Sequence, residues 1–339
     1  MNVGRLAAIF GCAGPILGAE ERAFFRDVDP FGFIVFARNV ENPDQLRRLT
    51  ADLRDAVGRD APILVDQEGG RVQRLRAPHW REWAPPLETA FGAGSPARAA
   101  TVLALRATLI AAELRAVGID ANCAPLADIA SDATHPFLRN RCYGTDVGSV
   151  ALISRAVADA YLAAGVLPVM KHLPGHGRSV ADTHFDLPQV DVSAKDLIAT
   201  DFAPFIALAD LPMAMTAHII FAAYDRERPA TQSPAMVKVI REVIGFKGLL
   251  MTDDLNMQAL PGTLAERTAL SRAAGCDLAL HCKGDMGEMI AVAGAAGEMS
   301  AATQVRARAA LACRIPAPDV DIDALEAKLA EATLGADHG

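Results

Sequence analysis

Short apolar runs alternate with longer segments of helical periodicity along nearly the whole chain. Leu6–Phe10, Gly32–Phe36, Ile63–Asp66, Asn122–Ala124, Leu167–Met170, Met213–Thr216, Leu249–Thr252 and Leu278–Leu280 read as buried strands. Continuous apolar runs of that kind suit a parallel sheet covered on both faces. Between them the apolar positions take the helical period at Ala19–Asp27, Pro43–Val57, Ala97–Val117, Val147–Ala164, Ala194–Leu208, Pro234–Val243, Thr263–Ala274 and Met286–Ala296. Asn42-Pro43 and Ser233-Pro234 mark two helix entries, because proline fits the first turn, where its missing N–H is not needed. Eight β-then-α units predict a single (β/α)8 TIM barrel, with residues to spare for insertions and an end cap. Two further helices, Ala301–Cys313 and Asp323–Leu334, are expected to pack on the outside of the barrel. No linker-like stretch divides the chain, so residues 1–339 read as one domain with C-terminal helices at about 300–335. An open doubly wound sheet would call for a glycine-rich phosphate fingerprint after the first strand, and Gly11-Cys-Ala-Gly14 is not one.

Composition narrows the function. The net charge is −8 and no basic stripe is present, which argues against nucleic acid as the main partner. No apolar run reaches the length of a membrane span. The six cysteines (Cys12, Cys123, Cys142, Cys276, Cys282, Cys313) form no Cys-x-x-Cys pair, and most lie in or beside apolar segments. They read as reduced residues of a cytoplasmic protein. Met1 to Cys12 carries Arg5 and a short apolar run ending in cysteine, as a lipoprotein leader would; the run is very short and serves well as a first strand.

In a barrel the polar residues that follow each strand gather at one face, where chemistry takes place. Here they are Arg38 and Asn39 after the second strand, and Asp66-Gln-Glu-Gly-Gly-Arg-Val-Gln-Arg74 after the third. Asp128 and Asn140-Arg141 follow the fourth, Lys171 and His172 the fifth, His218 the sixth, and Asp253 and Asp254 the seventh. Such a mouth suits a hydroxyl-rich or anionic ligand. The stretch Lys171–Asp191 holds three histidines, two glycines and several acids, and reads as a shaped site loop. In it Asp182 and His184, two residues apart, can point the same way, so the carboxylate could orient the ring and bias its tautomer.

Two chemistries fit these residues. His172, His176, His184 and His218 are ligand types that zinc prefers. A metallohydrolase barrel of the amidohydrolase kind would carry His-x-His after its first strand and Asp after its eighth, and neither is here. The other chemistry is cleavage of a glycoside with retention, which needs a carboxylate to attack the anomeric carbon and a proton donor for the leaving oxygen. Asp253 is placed to be the carboxylate, and His184 held by Asp182 could give and later remove the proton. Alternation along a strand sends successive side chains to opposite faces, so Asp254 is expected to turn away and hold the loop or a cationic neighbour.

Lys171-His-Leu-Pro-Gly-His-Gly177 followed by Asp182-Thr-His184 resembles the signature of family 3 glycoside hydrolases of the NagZ type, β-N-acetylglucosaminidases. Gly32-Phe-Ile-Val-Phe-Ala-Arg-Asn39, Asp66–Arg74, Asn122-Cys-Ala-Pro-Leu-Ala-Asp128 and Thr252-Asp-Asp-Leu-Asn-Met257 are similar to the same family, from about residue 5 to 285. The resemblance implies one barrel without a second domain, Asp253 as nucleophile, and His184 as general acid/base in a dyad with Asp182. It implies that Asp66, Arg74, Arg141, Lys171 and His172 bind N-acetylglucosamine, with no cofactor and no metal. It also implies a role in cytoplasmic peptidoglycan recycling, releasing terminal GlcNAc from an amino-sugar or muropeptide substrate such as GlcNAc-anhydro-MurNAc. Cys142-Tyr143 stands where Ser-Phe is common in the family, and Ala127 replaces a bulkier residue. Two alternatives stay open beside hydrolysis: a sugar-binding protein without turnover, and a phosphorylase in which phosphate replaces water and Arg178 meets it.

Overall fold

The computed structural model describes residues 2–179 and 187–334. Eight strands close a parallel barrel: β1 (Leu6–Gly11), β2 (Pro30–Val35), β3 (Ile63–Val65), β4 (Ala121–Asn122), β5 (Leu167–Leu173), β6 (Met213–Thr216), β7 (Leu249–Asp254) and β8 (Leu278–His281). The ring closes at β1, where Phe10 sits opposite Phe33 of β2 and His281 of β8. Side chains alternate across the strands as the pleat requires. Ala7 and Ile9 point inward with Ile34, Leu64, Val169, Met251 and Leu280 to fill the barrel. Ala8, Phe10, Phe33 and Val65 point outward under the helices.

The helix entries behave as their sequence predicts. Asn42 accepts a hydrogen bond from the N–H of Gln45, Ser233 accepts one from Met236, and proline follows each cap. Three features depart from the sequence reading. The helix expected at 194–208 is two short ones, Ala194–Ala199 and Ala203–Ala207. Pro204 has no N–H for the carbonyl four residues back and would clash with it, so the chain breaks at Thr200. Helix Ala301–Ala312 does more than coat the outside: Ala307, Ala310 and Leu311 join the barrel's interior cluster and close one end of it. Gln189–Val190 and Ile220–Phe221 form a small parallel sheet beside the barrel.

Two irregularities bear on the site. Between β5 and β6, the four residues Met170 to Leu173 of β5 span what three, Ala214 to Thr216, cover on β6. The same happens between β7 and β8, where Met251 to Asp254 oppose Leu278 to Leu280. An extra residue of this kind breaks strict alternation and re-aims side chains.

Candidate active site

The ends of β3, β5 and β7, with the loops that follow β3 and β4, converge on a cavity of about 140 Å³. Asp66, Arg74, Arg141, Lys171, His172, Asp253 and Asp254 all line it. Thus the structure brings together every expected binding residue and the expected nucleophile. Asp182 and His184 lie outside the described residues.

Lys171 and His172 are part of β5 rather than of a loop. The Lys171 N–H donates to Pro125 O at 3.1 Å, and Lys171 O accepts from Ala127 N–H at 2.9 Å. The extra residue in β5 accounts for both neighbours facing one cavity. Lys171 Nζ lies 2.9 Å from Asp66 and 2.6 Å from Glu68. Arg74 Nη2 donates to the other Asp66 oxygen at 3.0 Å. Arg141 grips Glu68 with two parallel bonds, Nε to Oε2 at 2.9 Å and Nη2 to Oε1 at 2.8 Å. Burial alone would push the Asp66 carboxyl up, but Lys171 and Arg74 outweigh it and hold it well below the usual range. Burial is likewise outweighed at Glu68, by Arg141 and Lys171. Each charge of the cluster is paired with an opposite one, the condition under which buried charges are tolerated. Aromatic faces support the cations: Arg74 sits 5.3 Å from the Phe36 ring and Arg141 5.2 Å from Phe137.

His172 Nδ1 is 2.7 Å from Asp128 Oδ2. A carboxylate only accepts, so Nδ1 carries the proton and Nε2 is left as the ring's other polar atom. Asp128, itself fully buried, also accepts the backbone N–H of His176 at 2.6 Å and that of His172. It therefore pins the start of the loop that leads toward residues 180–186. Burial, with His172 beside it, pushes His176 down to about 4, so that ring is neutral.

Asp253 and Asp254 both line the cavity, which corrects the expectation that Asp254 turns away. The irregularity between β7 and β8 is the physical reason. Asp254 does hold the loop: its Oδ1 accepts from the N–H of Asn256 at 3.1 Å and of Cys282 at 3.2 Å. Asp253 Oδ1 accepts the Asp254 N–H at 2.8 Å. Burial opposes the Asp253 anion, yet nearby His218 and His172 outweigh burial and hold it below the usual range. Asp254 shifts the other way, pushed up to about 6 by burial and, less, by Asp253. His218 Nε2 reaches the Asp254 carbonyl at 3.1 Å, and its Nδ1 lies 2.7 Å from the Thr231 hydroxyl.

Glu68 and Asp128 are the residues sequence reasoning left without a role, although both stand in the motifs it singled out. Arg178 pairs with Asp201 at 2.7 Å and does not line the cavity. Among the described residues, no group of three or more His, Cys, Asp or Glu is placed to hold a metal ion, and no helix is long and apolar enough to cross a membrane.

Comparison with known proteins adds the family. The chain matches the glycosyl hydrolase family 3 N terminal domain over residues 18–311. It is 36% identical over 282 residues to a beta-hexosaminidase of Methylococcus capsulatus, covering 81% of this chain and 82% of that protein. A beta-hexosaminidase of Xanthomonas campestris is 34% identical over 280 residues, at 81% and 83% coverage. NagZ from Neisseria gonorrhoeae superposes with a TM-score of 0.83 at 28% identity, covering 99% of each chain. A family 3 beta-N-acetylglucosaminidase from Paenibacillus gives 0.85 at 28% identity, covering 96% of this chain and 67% of the other.

Proposed function

Because the chain belongs to glycosyl hydrolase family 3 and is a glycoside hydrolase, we propose that it is a retaining exo-β-N-acetylglucosaminidase of cell-wall recycling. In this reading an Asp253 oxygen bonds to the anomeric carbon while the glycosidic C–O bond breaks. His184, held by Asp182, gives its proton to the leaving oxygen. Water then attacks the glycosyl-enzyme, His184 takes the water proton, and the Asp253 carboxylate is released with GlcNAc. One observation carries the reading. Asp253 stays ionised in a buried cavity, at the end of β7, and β3 with Asp66 stands across the ring from β7. A nucleophile on one wall and fixed hydroxyl-binding charges on the other are what such a reaction needs.

Asp66, Arg74, Arg141, Lys171 and His172 then bind the sugar, and residues 1–339 act as one catalytic unit. The substrate is a terminal GlcNAc on a peptidoglycan fragment, GlcNAc-anhydro-MurNAc with or without peptide. Arg38 and Arg71 near the mouth favour an aglycone that carries carboxylates. The six cysteines are all free thiols, which supports a cytoplasmic location. Water is favoured over phosphate as acceptor because Arg178 is engaged by Asp201 and not by the cavity.

The test is trapping with a 5-fluoro glycosyl donor followed by peptide mapping, alongside turnover of a chromogenic N-acetylglucosaminide, a muropeptide and chitobiose. A label on Asp253 and faster turnover of the muropeptide are expected. A label on Asp254 overturns the nucleophile, and GlcNAc-1-phosphate as main product in millimolar phosphate overturns hydrolysis.

A further inference from the structure

We infer that Glu68 is a positioning residue of the sugar site: it aims Lys171 and Arg141 at the ligand and keeps Asp66 free to accept from it. The inference rests on the reading of the cavity as a sugar site. Glu68 does not itself line the cavity, and its side chain is 1% exposed. It stands behind the two cations and uses both oxygens on them, as described above.

Counting donors and lone pairs shows what this achieves. An ammonium has three N–H donors; Lys171 commits one to Asp66 and is held in place by its ion pair with Glu68 at 2.6 Å, leaving at most two for a ligand. Arg141 commits Nε and one Nη2 hydrogen to Glu68, leaving three of its five donors, both on Nη1 and the second on Nη2. Both residues line the cavity, so the remaining donors are those a ligand can meet. Asp66 receives one donor on each oxygen and retains a lone pair on each. Without the Glu68 charge, three cations would face the single carboxylate of Asp66. Lys171 and Arg141 would turn onto Asp66 and fill its acceptor sites, and the ligand would lose donors and acceptor together.

Glu68 is placed for this from the helix layer outward. Its carbonyl accepts from Arg106 Nη2 at 2.5 Å, and Arg106 Nη1 donates to Ala84 O at 2.8 Å. Arg106 belongs to the helix Pro96–Ala116 and is itself buried. At Gly69, with φ of +104°, an added Cβ would lie 1.5 Å from Arg106 Nη2. Only glycine lets the guanidinium approach the chain there, so the residue after Glu68 is part of its mounting.

The experiment is a coupling measurement. Glu68→Gln keeps the shape, but its amide N–H2 would face the Arg141 Nε–H, so the fork is lost. Wild type and variant are assayed on a nitrophenyl N-acetylglucosaminide and on its 3-, 4- and 6-deoxy analogues. A hydrogen bond to a charged group corresponds to roughly 10- to 100-fold. Wild type should lose about that factor in kcat/KM on the analogue missing the hydroxyl that meets these cations. E68Q should turn over the parent substrate roughly 100-fold less well and show little further loss on that analogue. Glu68→Asp, which retains the charge, should recover part of the sensitivity. If E68Q keeps the full deoxy penalties, Glu68 is merely structural and the inference fails. Should E68Q not fold, E68D decides: its shorter reach must reduce the penalty, and an unchanged penalty overturns the idea. Calorimetric binding of GlcNAc and its deoxy forms reads the same coupling without turnover. A wild type that binds but does not hydrolyse therefore sinks the glycosidase reading alone.

Discussion

Replacing Asp254 by asparagine isolates a charge without disturbing the bonds around it. The asparagine Oδ1 can accept from the N–H groups of Asn256 and Cys282 as the carboxylate does. The folded carboxyl sits at about 6, above its ordinary value of 3.8, with burial the larger cause and Asp253 the smaller. Between those two values the native chain binds a proton that the unfolded chain has released. Stability from this group is therefore present below pH 3.8 and lost as pH rises through 6. Two pH units at 1.36 kcal/mol each give about 3 kcal/mol of destabilisation at pH 7. A neutral amide at this position would not carry that cost. Relative to wild type, D254N should gain stability from pH 4 to pH 7, by about 3 kcal/mol, or roughly 6 °C in Tm at about 2 °C per kcal/mol. Thermal melts and urea midpoints of both proteins across pH 4 to 8 measure the difference. A D254N offset that stays flat across that range would refute the reasoning, because it would mean Asp254 does not titrate there.

Two further outcomes follow from single contacts. At Gly177 an added Cβ would lie 1.9 Å from the Ile129 carbonyl, so Gly177→Ala must move the loop that leads to residues 180–186. It should cost about 1–3 kcal/mol of stability and at least about 10-fold in kcat, read by urea melts and the chromogenic assay; normal kcat would refute the link. Asp277 accepts from Leu250 N–H and pairs with Arg241 and Arg306, while Thr303 donates to it. Asp277→Ala leaves Arg241 and Arg306 without their shared counter-charge and should lower stability by about 3–5 kcal/mol. Asp277 precedes β8, at the end of the barrel away from the cavity, so kcat/KM below the melting range should remain near wild type in the same assay.

The barrel was legible because a parallel sheet buried on both faces needs continuous apolar runs, and those runs stand out between helical periods. Strand ends were less so. β5 and β7 run further than their apolar residues, through Lys171-His172 and Asp253-Asp254, because pairing with neighbouring strands continues past the apolar code. The extra residues in those strands leave no mark in the sequence, which is why strict alternation misplaced Asp254. The broken helix at 194–208 was marked by Pro204, but the signal was overridden by the apolar periodicity around it. Asp66 was found and Glu68 was not, though both belong to one motif. Which of two acids two residues apart lines the cavity, and which stands behind its partners, depends on Arg141 arriving from a loop more than seventy residues away.

The incorporation of Lys171 into β5 has a consequence for the thermodynamics of ligand capture. A lysine or arginine side chain free in solvent holds about 2 kcal/mol of rotamer entropy, and a site built from such chains on open loops forfeits it when the ligand arrives. Here the Lys171 backbone is tied through both its N–H and its carbonyl to the chain at Pro125 and Ala127, and its ammonium is already fixed by two carboxylates. Its freedom is gone before any sugar enters. On the proposed function, capture of a single monosaccharide, too small to compensate for ordering several flexible chains, thereby becomes thermodynamically accessible to a surface of only a few residues.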